Sequence, residues 1–139
     1  MTDSPSAERT LCIIKPDAIA HQFMEAINES IEAVGLRIVE RKELTLTLEQ
    51  AQAFYAVHKE RPFYESLCRF MTSGPICVQL LEGKDAVRAY RKLMGDTNPE
   101  KAADNTLRKR FGHSIEANAV HGSDSPENAT QEIAFFFAP

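Results

Sequence analysis

The sequence predicts an α+β sandwich in which helices cover one side of a four-stranded sheet. Apolar runs of strand length, at residues 10–14 and 76–81, alternate with segments whose apolar side chains recur at helical spacing. The elements follow the order strand, helix, strand, helix pair, strand, helix, loop, strand, helix. That order fits a ferredoxin-like βαββαβ core, with a helical hairpin and a long loop as insertions.

Length and composition predict one acidic domain. The chain has 139 residues, a formal net charge of −4 and a pI of about 5.6. We expect a flexible tail at residues 1–7 and a single domain at 8–139. Nucleic-acid-binding domains are usually basic, so nucleic acid is not expected as the main ligand. An acidic protein that handles polyanions would need a local positive cleft.

The chain shows no feature of a secreted or membrane protein. Residues 1–8 are polar, and no apolar run approaches the ~20 residues needed to span a bilayer. The three cysteines, Cys12, Cys68 and Cys77, lie singly in apolar runs, which favours buried thiols over a disulfide or a metal site. A cytoplasmic protein is therefore expected.

The first half of the chain begins with a buried strand that ends at Lys15-Pro16, which leaves Lys15 at the edge of any pocket there. Lys15 could also be an ordinary solvated charge. A helix is expected at residues 18–34, where four apolar residues form a stripe, with Gly35 as its stop. The members of that stripe are Phe23, Ile27, Ile31 and Val34.

An edge strand and a helical hairpin follow. Residues 36–46 resemble a strand with a charged outer part, which is typical of a sheet edge. Thr47 and Gln50 form a capping box that starts a helix through Tyr55. A second short helix is expected at residues 63–71, so that the pair could cover the sheet edge like a lid. Phe63 at its start could be core, or an exposed platform for a stacked base.

The next strand, at residues 76–81, is followed by a turn at 82–84 and a helix at 85–94 with Ala86, Tyr90 and Leu93 inward. Arg91 lies at the boundary of its buried face. Residues 95–117 form an unusually long loop, partly helical, and long loops in compact domains are usually functional. The loop carries a basic cluster at 108–110 that could be a solvated charge run or a clamp for polyphosphate.

The stretch from Asn118 to Ser125 is the strongest candidate for chemistry. A short strand at 118–121 and a turn at 122–124 lead into a helix at 125–137, which places His121 before a helix N-terminus. This helix has two possible registers: either Ser125 is the N-cap before Pro126, or Asp124 is the N-cap with Glu127 three residues on. Glu132 can point back to the turn, where a carboxylate would fix the tautomer of the imidazole.

Several motifs now resemble those of nucleoside diphosphate kinases. The similarity covers about residues 8–137 in the family's order and spacing, and the motifs together are very specific. They are Thr10-Leu-Cys-Ile-Ile-Lys-Pro-Asp17, Arg61-Pro-Phe-Tyr64, Met71-Thr-Ser-Gly-Pro75, Gly95-Asp-Thr-Asn-Pro99, Thr106-Leu-Arg108 and Asn118-Ala-Val-His-Gly-Ser-Asp-Ser125.

The resemblance implies a ping-pong phosphotransferase. The γ-phosphate of a nucleoside triphosphate passes to His121 and then to a different nucleoside diphosphate, with Ser123 and Glu132 supporting the histidine. It also implies that Mg²⁺ is carried on the nucleotide phosphates and that the chain forms a homo-oligomer built on a dimer, with a tetramer or hexamer possible. The implied nucleotide contacts are Lys15, Tyr55, Arg91, Thr97 and Arg108 for phosphate, Lys15 and Asn118 for ribose, and Phe63 and Ile115 for the base.

The chain departs from the family's usual pattern at Asn105, Lys109, Arg110 and Glu25, and it ends at Pro139 without the longer tail of many members. None of these departures removes a matched catalytic residue. They leave the loop conformation and the subunit contacts open.

Two other functions compete with phosphotransfer. The same fold could serve a module that senses nucleotides or binds RNA, since a fold alone does not fix a function. A catalytically dead scaffold is the second rival. The sequence has neither a P-loop nor the glycine-rich loop of protein kinases, so any phosphate clamp must come from side chains.

Overall fold

A computed structural model describes residues 7–137 of the chain. Most of the predicted tail, residues 1–6, lies outside this range, and Ala7 already begins the first strand. Seven α-helices and four strands follow in these 131 positions, and no helix among them is both long and apolar enough to cross a membrane. The bounds are β1 Ala7–Ile14, α1 Pro16–Ala20, α2 Met24–Ala33, β2 Arg37–Leu44, α3 Leu48–Phe54, α4 Tyr64–Met71, β3 Ile76–Lys84, α5 Ala86–Met94, α6 Leu107–Phe111, β4 Val120–Gly122 and α7 Pro126–Phe137.

The four strands form one antiparallel sheet in the order β2-β3-β1-β4. This order places β2 and β4 at the two edges and confirms the predicted ferredoxin-like fold. The pairing of β1 with β4 sets Ile13 opposite His121 and Ile14 opposite Val120. As a result, His121 and the end of β1 at Lys15 meet at the same end of the sheet.

Helices cover both faces of the sheet, so the prediction of helices on one side was wrong. Side chains of β1 alternate between two cores, because successive residues of a strand point to opposite faces. Cys12 and Ile14 pack with α2 and α5, whereas Leu11 and Ile13 pack with the α3–α4 hairpin and α7. The hairpin therefore supplies a second core layer rather than a lid over the edge.

The predicted helix at residues 18–34 is two helices. Gln22 adopts a φ of 63°, which a continuous helix does not allow. The N–H of Phe23 donates to Ala18 and that of Gln22 to Ile19, which is the Schellman pattern that ends a helix. Ile27 and Ile31 are fully buried as expected, but Val34 lies past the end of α2 and is 48% exposed.

Residues 82–84 continue β3 instead of forming the predicted turn. Glu82 accepts hydrogen bonds from Arg9 on β1 and Arg37 on β2, each at 2.9 Å. A Cβ on Gly83 would lie 2.8 Å from a terminal methyl of Leu36, just before β2, so a larger residue there would force that side chain to shift. These partners come from two other strands, and the local sequence, which resembles a turn, does not reveal them.

The side-chain caps expected at two helix starts are present in the structure. Thr47 and Gln50 make the complete capping box, and Ser125 Oγ accepts from the N–H of Asn128, which settles the register of α7. The long segment at 95–117 contains α6 and a 3₁₀ turn at Pro99–Lys101 but no strand. All three cysteines are buried and free.

Candidate active site

A cleft of about 480 Å³ opens where the hairpin, the end of β1, the long loop and β4 meet. Its walls combine cations, hydroxyls and an amide with apolar side chains at the mouth. Eight of the residues proposed from sequence line it: Lys15, Tyr55, Phe63, Thr97, Arg108, Ile115, Asn118 and His121. The structure thus brings together positions that lie up to 106 residues apart in the chain.

His121 is oriented by a carboxylate. Its Nε2 lies 3.1 Å from Oε1 of Glu132, and Oγ of Ser123 donates to the same oxygen at 2.8 Å. The Nε2–H of the neutral ring can donate to this carboxylate, which leaves the lone pair on Nδ1. The ring of Phe54 packs edge-on against the imidazole at 5.4 Å and further limits its rotation. A histidine held in this way can act as a nucleophile.

The carboxylate of Glu132 stays charged near neutral pH. Its partial burial raises the pKa, but the hydrogen bonds from His121 and Ser123 outweigh that effect and leave the pKa below its ordinary value. Ser123 is 1% exposed and lies with Glu132 behind the histidine, so neither residue lines the cleft. Their geometry is that of groups that orient His121.

Lys15 is a buried cation in the cleft wall. Its Nζ donates to Oδ1 of Asn118 and to the carbonyl of Glu116, each at 2.9 Å. Burial and the nearby charge of Arg108 lower its pKa to about 8, against the opposing effects of Asp17 and Glu116. An incompletely solvated ammonium of this kind favours an anionic ligand.

Asn118 and Arg108 are fixed by main-chain carbonyls. The amide of Asn118 donates to the carbonyl of Thr97 at 3.0 Å, which ties the long loop to the segment before β4. The guanidinium of Arg108 donates to the carbonyls of Gly95 and Val120. Burial lowers the pKa of Arg108 from its ordinary value. Both side chains are therefore held in place before any ligand binds.

Two polar atoms at the cleft are buried without a partner among residues 7–137. They are the hydroxyl of Tyr55 and Nε of Arg108. Burial also raises the pKa of Tyr55, so its hydroxyl keeps its proton and remains a donor. Buried donors are normally satisfied, so these two fit an acceptor that a ligand brings. Phosphate oxygens are acceptors of that kind.

Phe63 and Ile115 flank the mouth of the cleft. Phe63 is 46% exposed and Ile115 is 60% exposed, although both are apolar. Phe63 is therefore not a core residue, and its role as a platform for a base stays a prediction. An exposed aromatic ring and an exposed aliphatic chain that line the same cleft offer apolar surface to a flat base.

Three basic residues proposed from sequence lie outside the cleft. Arg91 is exposed in an adjoining hollow that shares Thr97 and Arg108 with the cleft. Lys109 and Arg110 do not line the cleft. Arg110 instead donates to Oγ of Ser30 at 2.8 Å and lies over the ring of Phe111. The basic cluster therefore divides, with only Arg108 facing the cleft.

Sequence reasoning missed four lining residues: His58, Leu67, Glu116 and Val120. Helical spacing offered a signal for two of them. His58 lies three residues after Tyr55 and Leu67 four after Phe63, and side chains at those spacings share a face. Glu116 contributes its main-chain carbonyl to Lys15, and its carboxylate accepts from Ser66 at 2.6 Å. Because the main-chain carbonyl makes the contact with Lys15, the type of residue at position 116 gives no sign of it.

Comparison with known proteins identifies the family. The family model described as nucleoside diphosphate kinase matches residues 8–139. A nucleoside diphosphate kinase from Maricaulis maris is 59% identical over 131 residues, which cover 94% of this chain and 94% of that protein. The chain therefore belongs to the nucleoside diphosphate kinase family.

Solved structures agree with this assignment. The nucleoside diphosphate kinase of Aquifex aeolicus is 43% identical, with a TM-score of 0.92 over 94% of this chain and 95% of that one. The enzyme of Halobacterium salinarum, solved in complex with CDP, is 37% identical, with a TM-score of 0.91 over 95% and 88%. The predicted family, the fold and the class of activity, phosphotransfer between nucleotides, are confirmed.

Proposed function

We propose that this chain transfers the γ-phosphate of a nucleoside triphosphate to a nucleoside diphosphate through a phosphohistidine at His121. The observation that carries the proposal is the hydrogen bond from Nε2 of His121 to Glu132 at the wall of a cation-lined cleft. That bond leaves Nδ1 as the nucleophilic nitrogen. The same bond keeps the ring in the tautomer that attack requires.

The reaction balances in two displacements. In the first, the lone pair of Nδ1 attacks the γ-phosphorus, and the bond from phosphorus to the bridging oxygen of the β-phosphate breaks. The nucleoside diphosphate leaves with that oxygen. In the second, a terminal phosphate oxygen of another diphosphate attacks the same phosphorus, and the N–P bond breaks. One cleft serves both steps because both substrates present the same phosphate, ribose and base groups.

The remaining cleft residues would position the nucleotide and stabilise charge. Lys15, Arg108 and the hydroxyl of Tyr55 supply donors to the phosphate oxygens, where positioning and charge account for most of phosphoryl-transfer catalysis. Thr97 and Arg91 lie on the adjoining wall and can reach the outer phosphates. Asn118 with Lys15 fits the ribose hydroxyls, and Phe63 with Ile115 fits the base.

Mg²⁺ fits this site only as a companion of the nucleotide. Among the residues that the structure describes, no group of three His, Cys, Asp or Glu side chains could hold a metal. Mg²⁺ usually binds through phosphates and a few protein oxygens, and when bound it neutralises phosphate charge. The cleft itself supplies cations and hydroxyls, which complement phosphate oxygens.

A cytoplasmic location completes the proposal and is supported by the three free, buried thiols, which suit a reducing compartment. Cell fractionation would check it. An RNA-binding module is not favoured, because Lys15 and Arg108 line a cleft rather than an open sheet face.

The decisive experiment is to incubate the protein with γ-labelled ATP and no acceptor. We expect about one acid-labile, base-stable phosphate per chain, which a different diphosphate such as CDP then removes. His121→Ala should take up no label. His58→Ala is the matched control, because His58 lines the same cleft but has no carboxylate partner among residues 7–137, and this variant should still be labelled. Label that persists in His121→Ala would refute the assignment.

A further inference from the structure

A strained turn precedes the histidine strand. Ala119 has a φ of 76°, a left-handed conformation that a side chain with a Cβ disfavours, and it is fully buried. It lies between Asn118, in the cleft wall, and the strand that carries His121. If Ala119 relaxed to a negative φ, Asn118 would rotate relative to the strand that carries His121. Something in the fold must therefore hold the turn in place.

The carboxylate of Asp17 is the side chain that holds it. Its Oδ2 accepts a hydrogen bond from the N–H of Ala119 at 3.1 Å. The main-chain N–H of Lys15 donates to the carbonyl of the same residue at 2.9 Å. Both peptide groups of the strained residue are thus tied to the segment at residues 15–17. Asp17 does not line the cleft, although its charge acts on the ammonium of Lys15 and helps to keep that lysine protonated.

We infer that Asp17 is a positioning residue, whose carboxylate locks the left-handed turn at Ala119 and thereby sets Asn118 and His121 in one catalytic geometry. This inference rests on the proposed role of His121. It assigns a purpose to the carboxylate of the Lys15-Pro16-Asp17 segment that is distinct from the phosphate contact of Lys15. It also accounts for a partly buried hydrogen bond between the start of α1 and the residue before β4.

A strain argument gives a sharp test. If the carboxylate is needed because Ala119 resists a positive φ, glycine at 119 should reduce that need, since glycine adopts such angles freely. Asp17→Ala should lower kcat at least tenfold at a temperature well below unfolding, with a smaller change in KM. Adding Ala119→Gly should raise kcat at least fivefold over that of Asp17→Ala, which is the fold-change that the energetic cost of a left-handed residue corresponds to.

The matched control is Gln22→Gly. Gln22 has a similar φ of 63° but is exposed between α1 and α2, away from the cleft. The substitution Gln22→Gly relieves the same kind of strain, but it should not raise the kcat of the Asp17→Ala variant. Asp17→Asn keeps an oxygen that can accept from Ala119, so its kcat should stay within threefold of the wild-type value.

Three results would overturn the inference: a kcat of Asp17→Ala within twofold of wild type, equal rescue by the two glycines, or an Asp17→Asn variant as impaired as Asp17→Ala. If Asp17→Ala does not fold, the inference requires Ala119→Gly, and not Gln22→Gly, to restore the folded protein. Wild-type activity and His121 labelling are measured alongside. If the wild-type protein shows no phosphotransfer or takes up no label at His121, the proposed function is refuted. If both are present and Asp17→Ala has the wild-type kcat, only the role of Asp17 is refuted.

Discussion

The ammonium of Lys15 and the amide oxygen of Asn118 lie 2.9 Å apart across the end of the sheet. Lys15 follows β1 and Asn118 precedes β4, so the contact joins the two strands at the point where the cleft opens. Lys15 is only 6% exposed, and burial lowers its pKa to about 8. The charge that we assign to phosphate binding is therefore lost within a pH range open to experiment.

The first prediction is a fall in kcat/KM above about pH 8. The free enzyme carries a charged Lys15 below its pKa of about 8 and a neutral one above it. Since kcat/KM reports groups of the free enzyme, it should fall by up to about tenfold for each pH unit beyond that point. Tyr55 cannot produce this fall, because burial raises its pKa.

Variants of lysine separate this effect from a general alkaline loss. Lys15→Arg should be less active but should lack the fall, because arginine stays charged. Lys101→Arg, at an exposed lysine, should show the same fall of kcat/KM as the wild-type protein. A wild-type profile that stays flat to pH 10 would contradict this prediction, because Lys15 would then either keep its charge over that range or not be needed for kcat/KM.

The sequence predicted the fold class correctly, although not every element around the site. Its motifs resemble those of the family and named His121, Lys15 and Asn118, which the structure gathers in one cleft, while their roles stay predictions. The break at Gln22 and the extension of β3 through Glu82 depend on partners elsewhere in the chain. Local propensity does not contain those tertiary contacts, and it also gave no sign of the strain at Ala119.

The second prediction concerns base stacking at the mouth of the cleft. Phe63→Ala should weaken nucleotide binding by about 1–3 kcal/mol, the usual range for a base on an aromatic ring. Ile115→Ala should act in the same direction but less strongly, since an aliphatic chain has no π face. Purine and pyrimidine nucleotides should all be substrates, because stacking tolerates any base.

Val57→Ala is the control for the stacking prediction. Val57 is the most exposed large apolar residue in the part of the chain that the structure describes, at 87%, and it does not line the cleft. Its variant should bind nucleotides as the wild-type protein does. Equilibrium titration with four different diphosphates would provide the measurement. Strict selectivity for a single base would contradict the stacking arrangement.

The third prediction separates the members of the basic cluster. Arg108→Ala should lower kcat by at least about a hundredfold, because Arg108 faces the cleft and is already fixed by two carbonyls. Lys109→Ala and Arg110→Ala should change mainly the salt dependence of kcat/KM, because exposed charges are screened over about 8 Å at physiological ionic strength.

Steady-state kinetics at two ionic strengths would test that difference. The folded state of Arg108→Ala should be checked by thermal unfolding, since its removal also leaves two carbonyls without donors. Equal losses of kcat in all three variants would show that the loop, and not the single guanidinium in the cleft, determines the rate.

The last prediction is that the chain forms a dimer through β2. This strand lies at the edge of the sheet and pairs with β3 on one side only, so one row of its main-chain groups lacks a strand partner among the described residues. Pairing with the same strand of a second copy would cover that edge, and a two-fold axis makes such a contact self-complementary. Sedimentation across a dilution series should show twice the monomer mass of 15.6 kDa or a multiple of that dimer. Val39→Asp on β2 should shift the protein towards monomer, whereas Val57→Asp, at an exposed valine outside the sheet, should not. A folded and active wild-type monomer would refute the dimer.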